Sequence, residues 1–328
     1  MREVTYGEAV REALAEEMRR DKMVALIGED VGPYGGNFGI LKGLWEEFGE
    51  ERVRDTPISE VAIVGAGLGA ALTGMRPVVE IMFCDFMGVA GDQLLNQVAK
   101  IRYMFGGQVE VPLTIRTTLG GGRSSAAQHS QSLHAIICHV PGIKVVVPGT
   151  HEDAKGLLKA AIRDNNPVMV FEHKMMYNKK GFIPEGEYVT PLGQAAVRRE
   201  GKDLTIVAIS SMVYESMALA EELSAKEGIE IEVVDPRTLV PLDEETIINS
   251  VRKTGRLVVA DEGHETCGFA AEIIRRVVKV GGAFDYLDAP IEVVGTRDVP
   301  LPFSPPLENY VIPSKARIEE AVRKVLGY

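Results

Sequence analysis

Two successive α/β domains with mostly parallel sheets are the fold class this sequence predicts, and three observations predict it. Short apolar runs of strand length recur at 23–27, 77–82, 112–115, 144–147 and 168–171. They are continuous rather than alternating, as parallel strands buried on both faces require. Helical patterns lie between several of them, and after a break the same β-α alternation resumes. The third observation is length: 328 residues suit two domains of roughly 150 each.

Each element has a local reason. The chain opens on a helix, because Thr5 and Glu8 have capping-box spacing and Val10, Leu14 and Met18 recur every fourth residue. Thr150 and Asp153 cap a second helix through Leu157, Leu158 and Ile162, which stops at Asn165-Asn166-Pro167. Residues 178–200 change character, rich in Asn, Lys, Gly, Pro and Glu without sustained periodicity. The boundaries predicted are a first domain over 1–180, a linker over 181–200 and a second domain over 201–328. In the second, strands at 204–210, 229–234 and 256–260 alternate with helices near 213–226, 243–253, 269–279 and 314–326.

Composition excludes several classes of function. A net charge of −11 disfavours nucleic acid and anionic membrane surfaces, which need a basic face. The longest apolar stretch, 61–75, is shorter than the ~20 residues a membrane-spanning helix takes. The first residues, MREVTYGEAV, have no signal-peptide core. Cys84, Cys138 and Cys267 lie far apart with no CxxC, so a disulfide framework or structural zinc is not expected and a reducing cytoplasm is.

One segment carries two readings. Val61-Ala62-Ile63-Val64 followed by Gly65-Ala66-Gly67-Leu68-Gly69-Ala70 imitates the dinucleotide fingerprint, with Glu80 as the carboxylate beyond it. The strand would be only four residues long, and the interval to Glu80 falls short of the usual ~20. The other reading is a buried helix from Ser59, whose glycines permit close packing and whose alanines favour helix. On that reading Glu60 sits in the first turn of a wholly apolar helix, either as a capping carboxylate or as a partly desolvated group suited to proton traffic.

Several longer strings resemble a known family. ERVRDTPISEVAIVGAGLGAALTGMRPVVEIMFCDF (51–86), IRYMFGG (101–107), AAQHSQS (126–132), DAKGLLKAAIRDNNPV (153–168), DPRTLVPLD (235–243), DEGHETCG (261–268) and FDYLDAPI (284–291) occur in order. Together they resemble the beta subunits of thiamine-diphosphate-dependent pyruvate, branched-chain 2-oxoacid and acetoin dehydrogenases. The resemblance implies a transketolase-like pyrimidine-binding domain followed by a transketolase C-terminal domain. It implies that Glu60 hydrogen-bonds a ring nitrogen of the cofactor's aminopyrimidine, and that Phe86 stacks on that ring; read alone, Phe86 is equally a core residue beside Phe83. It further implies that His129, in the glycine- and serine-rich stretch 120–132, faces the entrance where a lipoyl arm arrives; read alone, it is an exposed loop histidine. His134 and His139 follow at five-residue steps, which do not share a helix face, so a metal there is not expected. Some members hold a structural potassium ion, and by position its ligands are Leu113, Ala161, Ile162, Asp164 and Asn166; the alternative is an ordinary helix end.

One motif is missing. Single-chain thiamine enzymes hold magnesium and the diphosphate through GDG and later asparagines, and no GDG occurs here. In the family resembled, that motif resides on an alpha subunit. An alpha2-beta2 heterotetramer with the active site at a subunit interface, serving a lipoyl acyltransferase, is therefore implied. Two other readings stay open: a nicotinamide-dependent oxidoreductase using the Gly65 motif, and a non-catalytic assembly subunit of the same fold. As substrate, YMFGG, Arg116-Thr117-Thr118, DPRTLVPLD and PFSPPLE (302–308) favour acetoin over pyruvate.

Overall fold

Local sequence signals become elements where the backbone can be satisfied. The computed structural model describes residues 1–328. β1 (Arg2–Thr5) leads into α1 (Tyr6–Arg20) through a complete capping box: Thr5 Oγ1 accepts from Glu8 N–H, and Glu8 Oε2 accepts from Thr5 N–H at 2.7 Å. β2 (Val24–Gly28), α2 (Leu44–Phe48), β3 (Val53–Asp55), α3 (Glu60–Leu72), β4 (Arg76–Ile81), α4 (Ile101–Met104) and β5 (Thr114–Leu119) follow. Then come α5 (His134–Cys138), β6 (Lys144–Val146), α6 (His151–Arg163), β7 (Val168–His173) and β8 (Lys180–Ile183). The chain ends through β9 (Ala196–Arg199), β10 (Leu204–Ala208), α7 (Met212–Glu227), β11 (Ile231–Asp235), β12 (Thr238–Val240), α8 (Glu244–Thr254), β13 (Leu257–His264), α9 (Phe269–Arg275), β14 (Glu292–Thr296), α10 (Pro305–Val311) and α11 (Lys315–Leu326).

Two compact units result: residues 1–119 with 136–192, and residues 120–135 with 193–328. In the first, β6-β7-β5-β4-β2-β3 lie side by side, all parallel, while β1 and β8 form an antiparallel ribbon. In the second, β14-β13-β10-β11 are parallel and β9 closes the edge antiparallel. Leu204, Ile206, Leu219, Val233, Val258 and Val322 centre that unit's core. Residues 181–200, read as linker, contain β8 and β9, and the segment 120–135 packs with the second unit.

The segment 61–75 resolves against a dinucleotide turn. Val61 to Gly69 lies inside α3, so no strand precedes the glycines, and they sit mid-helix rather than at a helix start. Gly67 shows what the glycines achieve: a Cβ there would stand 2.4 Å from Val79 Cγ1, so only glycine lets α3 lie this close on β4. Ser59 precedes the helix, but its hydroxyl makes no capping bond. No helix is long and apolar enough to cross a membrane.

Candidate active site

In open parallel sheets, ligands bind beyond the carboxyl ends of the strands. In the first unit β2, β3 and β4 are adjacent and parallel, and each of their carboxyl ends runs into a residue of interest. β2 ends at Gly28 and is followed by Glu29. β3 ends at Asp55, and five residues later Glu60 opens α3. β4 ends at Ile81 and leads into the 3-10 turn Cys84–Gly88, which carries Phe86.

Glu60 is only 8% exposed, and its carboxylate makes no hydrogen bond or ion pair within the chain. The helix N-terminus favours its negative charge, an effect worth only ~0.3–1 kcal/mol. Glu29, half-buried, has its carboxyl pushed above the usual range by burial, then by Asp30 and by Glu60 itself. The sequence reading passed over Glu29, because nothing at its position distinguishes it from a solvated carboxylate. Its signal was only that it follows a buried parallel strand.

Phe86 packs edge-on against Phe83, with ring centres 5.7 Å apart, and remains partly exposed. Phe83 is buried and meets Phe38 in turn, so Phe83 is the core residue of the pair and Phe86 the more exposed one. Behind them, Arg116 on β5 is 2% exposed and grips Glu172 of β7 through two bonds, 3.0 Å from Nε and 2.7 Å from Nη2. Its Nη1 reaches Glu80 of β4. Tyr177 donates to Glu172 Oε2 at 2.7 Å. Burial works against charge on Arg116, yet Glu172 and Glu80 hold its affinity for a proton above that of an ordinary guanidinium. Burial pushes the Glu80 carboxyl up, with Arg116 opposing.

His129 stands in the second unit, while Glu60 and Phe86 stand in the first. Its loop is closed at the base by Gly120 N–H donating to Gln131 O at 3.0 Å, and His129 N–H turns back on Ala126 O. His134, five residues on, is buried, and its Nε2 lies 3.1 Å from Asp261 Oδ2. Burial disfavours its charge, but Asp261 holds the imidazole above its ordinary value. That pairing makes His134 an internal hydrogen-bond partner of Asp261.

The potassium set gathers where α6 ends. Ala161 O accepts from Asp164 N–H, and Leu113 O from Val168 N–H. Ile162 O and Asp164 O accept from the Arg76 guanidinium at 2.9 and 2.8 Å. Asn166 Oδ1 accepts from Arg102 at 2.6 Å, and Lys144 pairs with the Asp164 carboxylate. Each of these four carbonyls has one donor already and keeps a second lone pair. The hard oxygens suit a potassium ion, while Arg76, Arg102 and Lys144 bring positive charge beside it. No cluster of three or more His, Cys, Asp or Glu side chains is arranged to take a metal ion.

Comparison with known proteins agrees with this geometry. Residues 2–180 match the family described as the transketolase pyrimidine-binding domain, and residues 193–318 the transketolase C-terminal domain. The chain is 47% identical to the beta subunit of acetoin:2,6-dichlorophenolindophenol oxidoreductase of Bacillus subtilis, covering 99% of this chain and 98% of that one. The Cupriavidus necator protein of the same name is 49% identical, again over 99% and 98%. The pyruvate dehydrogenase E1 beta subunit of Rickettsia felis is 46% identical over 99% of both. Among solved structures, a split-gene transketolase in an inactive beta4 tetramer superposes with a TM-score of 0.79 at 24% identity, over 99% of this chain and 98% of that one, a likeness of fold. With both domain families matched in order and relatives of this identity end to end, the chain belongs to the transketolase-like family of dehydrogenase beta subunits.

Proposed function

We propose that the chain is the beta half of a thiamine-diphosphate-dependent dehydrogenase that acts only with an alpha subunit, in an alpha2-beta2 heterotetramer. It cleaves acetoin, or decarboxylates a 2-oxoacid such as pyruvate, and the acyl unit passes to a lipoyl domain. The observation that carries the reading is Glu60: a buried carboxylate with no partner in its own chain, at the head of an apolar helix. Thiamine diphosphate, when bound, would supply an acidic carbon able to act as a nucleophile toward a substrate carbonyl. Glu60 would share a proton with a ring nitrogen of the cofactor's pyrimidine, which is general acid–base work for a carboxylate. Phe86, partly exposed just beyond the end of β4, stacks on the pyrimidine ring in this reading. His129 serves at the acyl acceptor, where an opening dithiolane leaves a thiolate that needs a proton near neutral pH.

Two features support a partner. The exposed side of α3 is apolar throughout, with Val61 41% and Leu72 38% exposed and Ala62, Ala66 and Gly69 between them. Exposed apolar surface of this extent marks a contact face. The chain also has no GDG motif, the string that in the family resembled lies on the alpha subunit, and this supports placing the diphosphate's magnesium there. Titration with thiamine diphosphate and magnesium tests this: the chain alone will show no tight binding, and adding the alpha subunit will create it. Tight binding to the chain alone places the diphosphate site here and overturns the division of labour. In the assembled enzyme, with an artificial electron acceptor, acetoin will outpace pyruvate; the reverse order retains the family and removes the acetoin assignment.

Potassium at Leu113, Ala161, Ile162, Asp164 and Asn166 is a structural proposal resting on their oxygen donors. Replacing potassium by sodium in the buffer will lower the melting temperature, and an unchanged melting temperature removes the site. The three cysteines form no disulfide with one another, which fits a reducing compartment, for which the cytoplasm is proposed.

A further inference from the structure

The loop that carries His129 is an improbable conformation held in place. Gly120, Gly122, Ser124 and Ala126, alternate residues of one short stretch, have φ values of 96°, 91°, 54° and 60°. Glycine takes this left-handed region freely; serine and alanine do so only under constraint. The constraint comes from two carboxylates of the same unit. Glu308, in α10 and 1% exposed, accepts from Gly122 N–H through Oε1 at 2.9 Å and from Ser124 N–H through Oε2 at 2.8 Å. Glu262, on β13 and 6% exposed, accepts from Gly121 N–H at 2.5 Å and from Ser211 Oγ at 3.3 Å. Gly121 lies so close beneath them that a Cβ would stand 3.0 Å from both Ile312 Cγ2 and Leu301 Cδ2. Successive N–H groups converging on an anion are what such alternating turns produce. Here the anion is a side chain. At the far end of the loop, His134 is fastened to Asp261.

We propose that Glu308, backed by Glu262, is a positioning residue for the acyl-acceptor step: it fixes the turns at 120–126 and through them the place of the His129 imidazole. The proposal rests on the reading of His129 given above. Two buried carboxylates spent on backbone N–H groups of one loop exceed what the fold of the second unit requires, since neither belongs to the apolar core around β10, β11 and β13. Glutamine at 308 keeps one acceptor and turns an amide N–H toward a backbone N–H, so one of the two bonds must fail. Hydrogen bonds to charged acceptors are the stronger class, and losing them loosens what they hold.

The test uses the assembled enzyme carrying Glu308→Gln, His129→Ala or both, with Gly122→Ala as a variant that strains the turn without touching the carboxylate. Amide exchange over 120–132 will rise roughly ten- to hundredfold in Glu308→Gln; unchanged exchange overturns the anchoring. With a lipoyl domain as acceptor, kcat/KM will fall about tenfold or more, far beyond the fall with a small artificial oxidant. In the His129→Ala background, Glu308→Gln will add nothing, because it acts through a group already removed. A multiplicative loss in the double variant shows that Glu308 does not act through His129, and the proposal fails. If His129→Ala alone leaves lipoyl-dependent turnover intact, the His129 reading fails, whereas the exchange result still decides whether Glu308 holds the loop. Gly122→Ala will reproduce both the loosened loop and the selective loss, and normal values for both count against the proposal.

Discussion

In Glu60→Gln, turnover of the assembled enzyme will fall ~100- to 10,000-fold while the subunits still assemble. Glutamine has the shape of glutamate and forms a hydrogen bond, but it cannot share a proton with a pyrimidine nitrogen. The structure sharpens this expectation by weakening its competitor. If Glu60 served as a helix-capping charge, it would contribute ~0.3–1 kcal/mol through the helix dipole. A residue 8% exposed with no partner in its own chain is therefore poorly explained by stability. Its neutral isostere should leave the melting temperature of the cofactor-free protein nearly unchanged or slightly raised. Steady-state turnover, with assembly checked by size-exclusion chromatography, decides the matter. A fall of less than about tenfold would return Glu60 to the role of a capping charge.

Arg116→Met will lower stability by about 3–5 kcal/mol, because it leaves Glu172 and Glu80 buried without their common counter-ion. The guanidinium holds Glu172 through two bonds and reaches Glu80, and water has no access to replace it at 2% exposure. For a protein of this size that corresponds to a drop of roughly 10 °C in melting temperature. The contrast is the informative part. Removing all three charges together, with Glu80→Gln and Glu172→Gln added to Arg116→Met, should recover much of the loss, since the burial of a complete ion-pair group is itself nearly neutral against apolar or uncharged replacements. A melting temperature that Arg116→Met leaves within about 2 °C would mean that solvent enters among β4, β5 and β7 and screens the group.

Much of the fold could be read because its signals are local. The capping pairs Thr5–Glu8 and Thr150–Asp153 close as spaced, with Thr150 Oγ1 accepting from Asp153 N–H. The apolar runs at 23–27, 77–82 and 168–171 became β2, β4 and β7 within two residues. The strands missed, among them β1, β3, β8 and β9, are three or four residues long, and several are partly exposed. Too few apolar positions mark such strands, and their pairing partners are distant: Arg2 of β1 meets Ile183 of β8.

The site divides along the same line. Sequence by itself determined the domain families and offered the carboxylate Glu60 as a candidate, because a long ordered resemblance is written in consecutive residues. It also supplied Phe86 and His129 as candidates, through that resemblance. Only the tertiary structure decided that 61–69 is helix and not a strand with a phosphate turn, since the deciding contact, Gly67 on Val79, joins two elements. Only the structure showed that Glu60 lacks a partner, that Glu29 lies within its field, and that Arg116 serves two carboxylates on neighbouring strands. It also showed that Glu308, the last residue of the PFSPPLE string, accepts from backbone N–H groups 184 and 186 positions away in the chain. The physical reason is common to all of these: charge, desolvation and hydrogen-bond satisfaction depend on neighbours in space, and a sequence specifies those neighbours only through the fold.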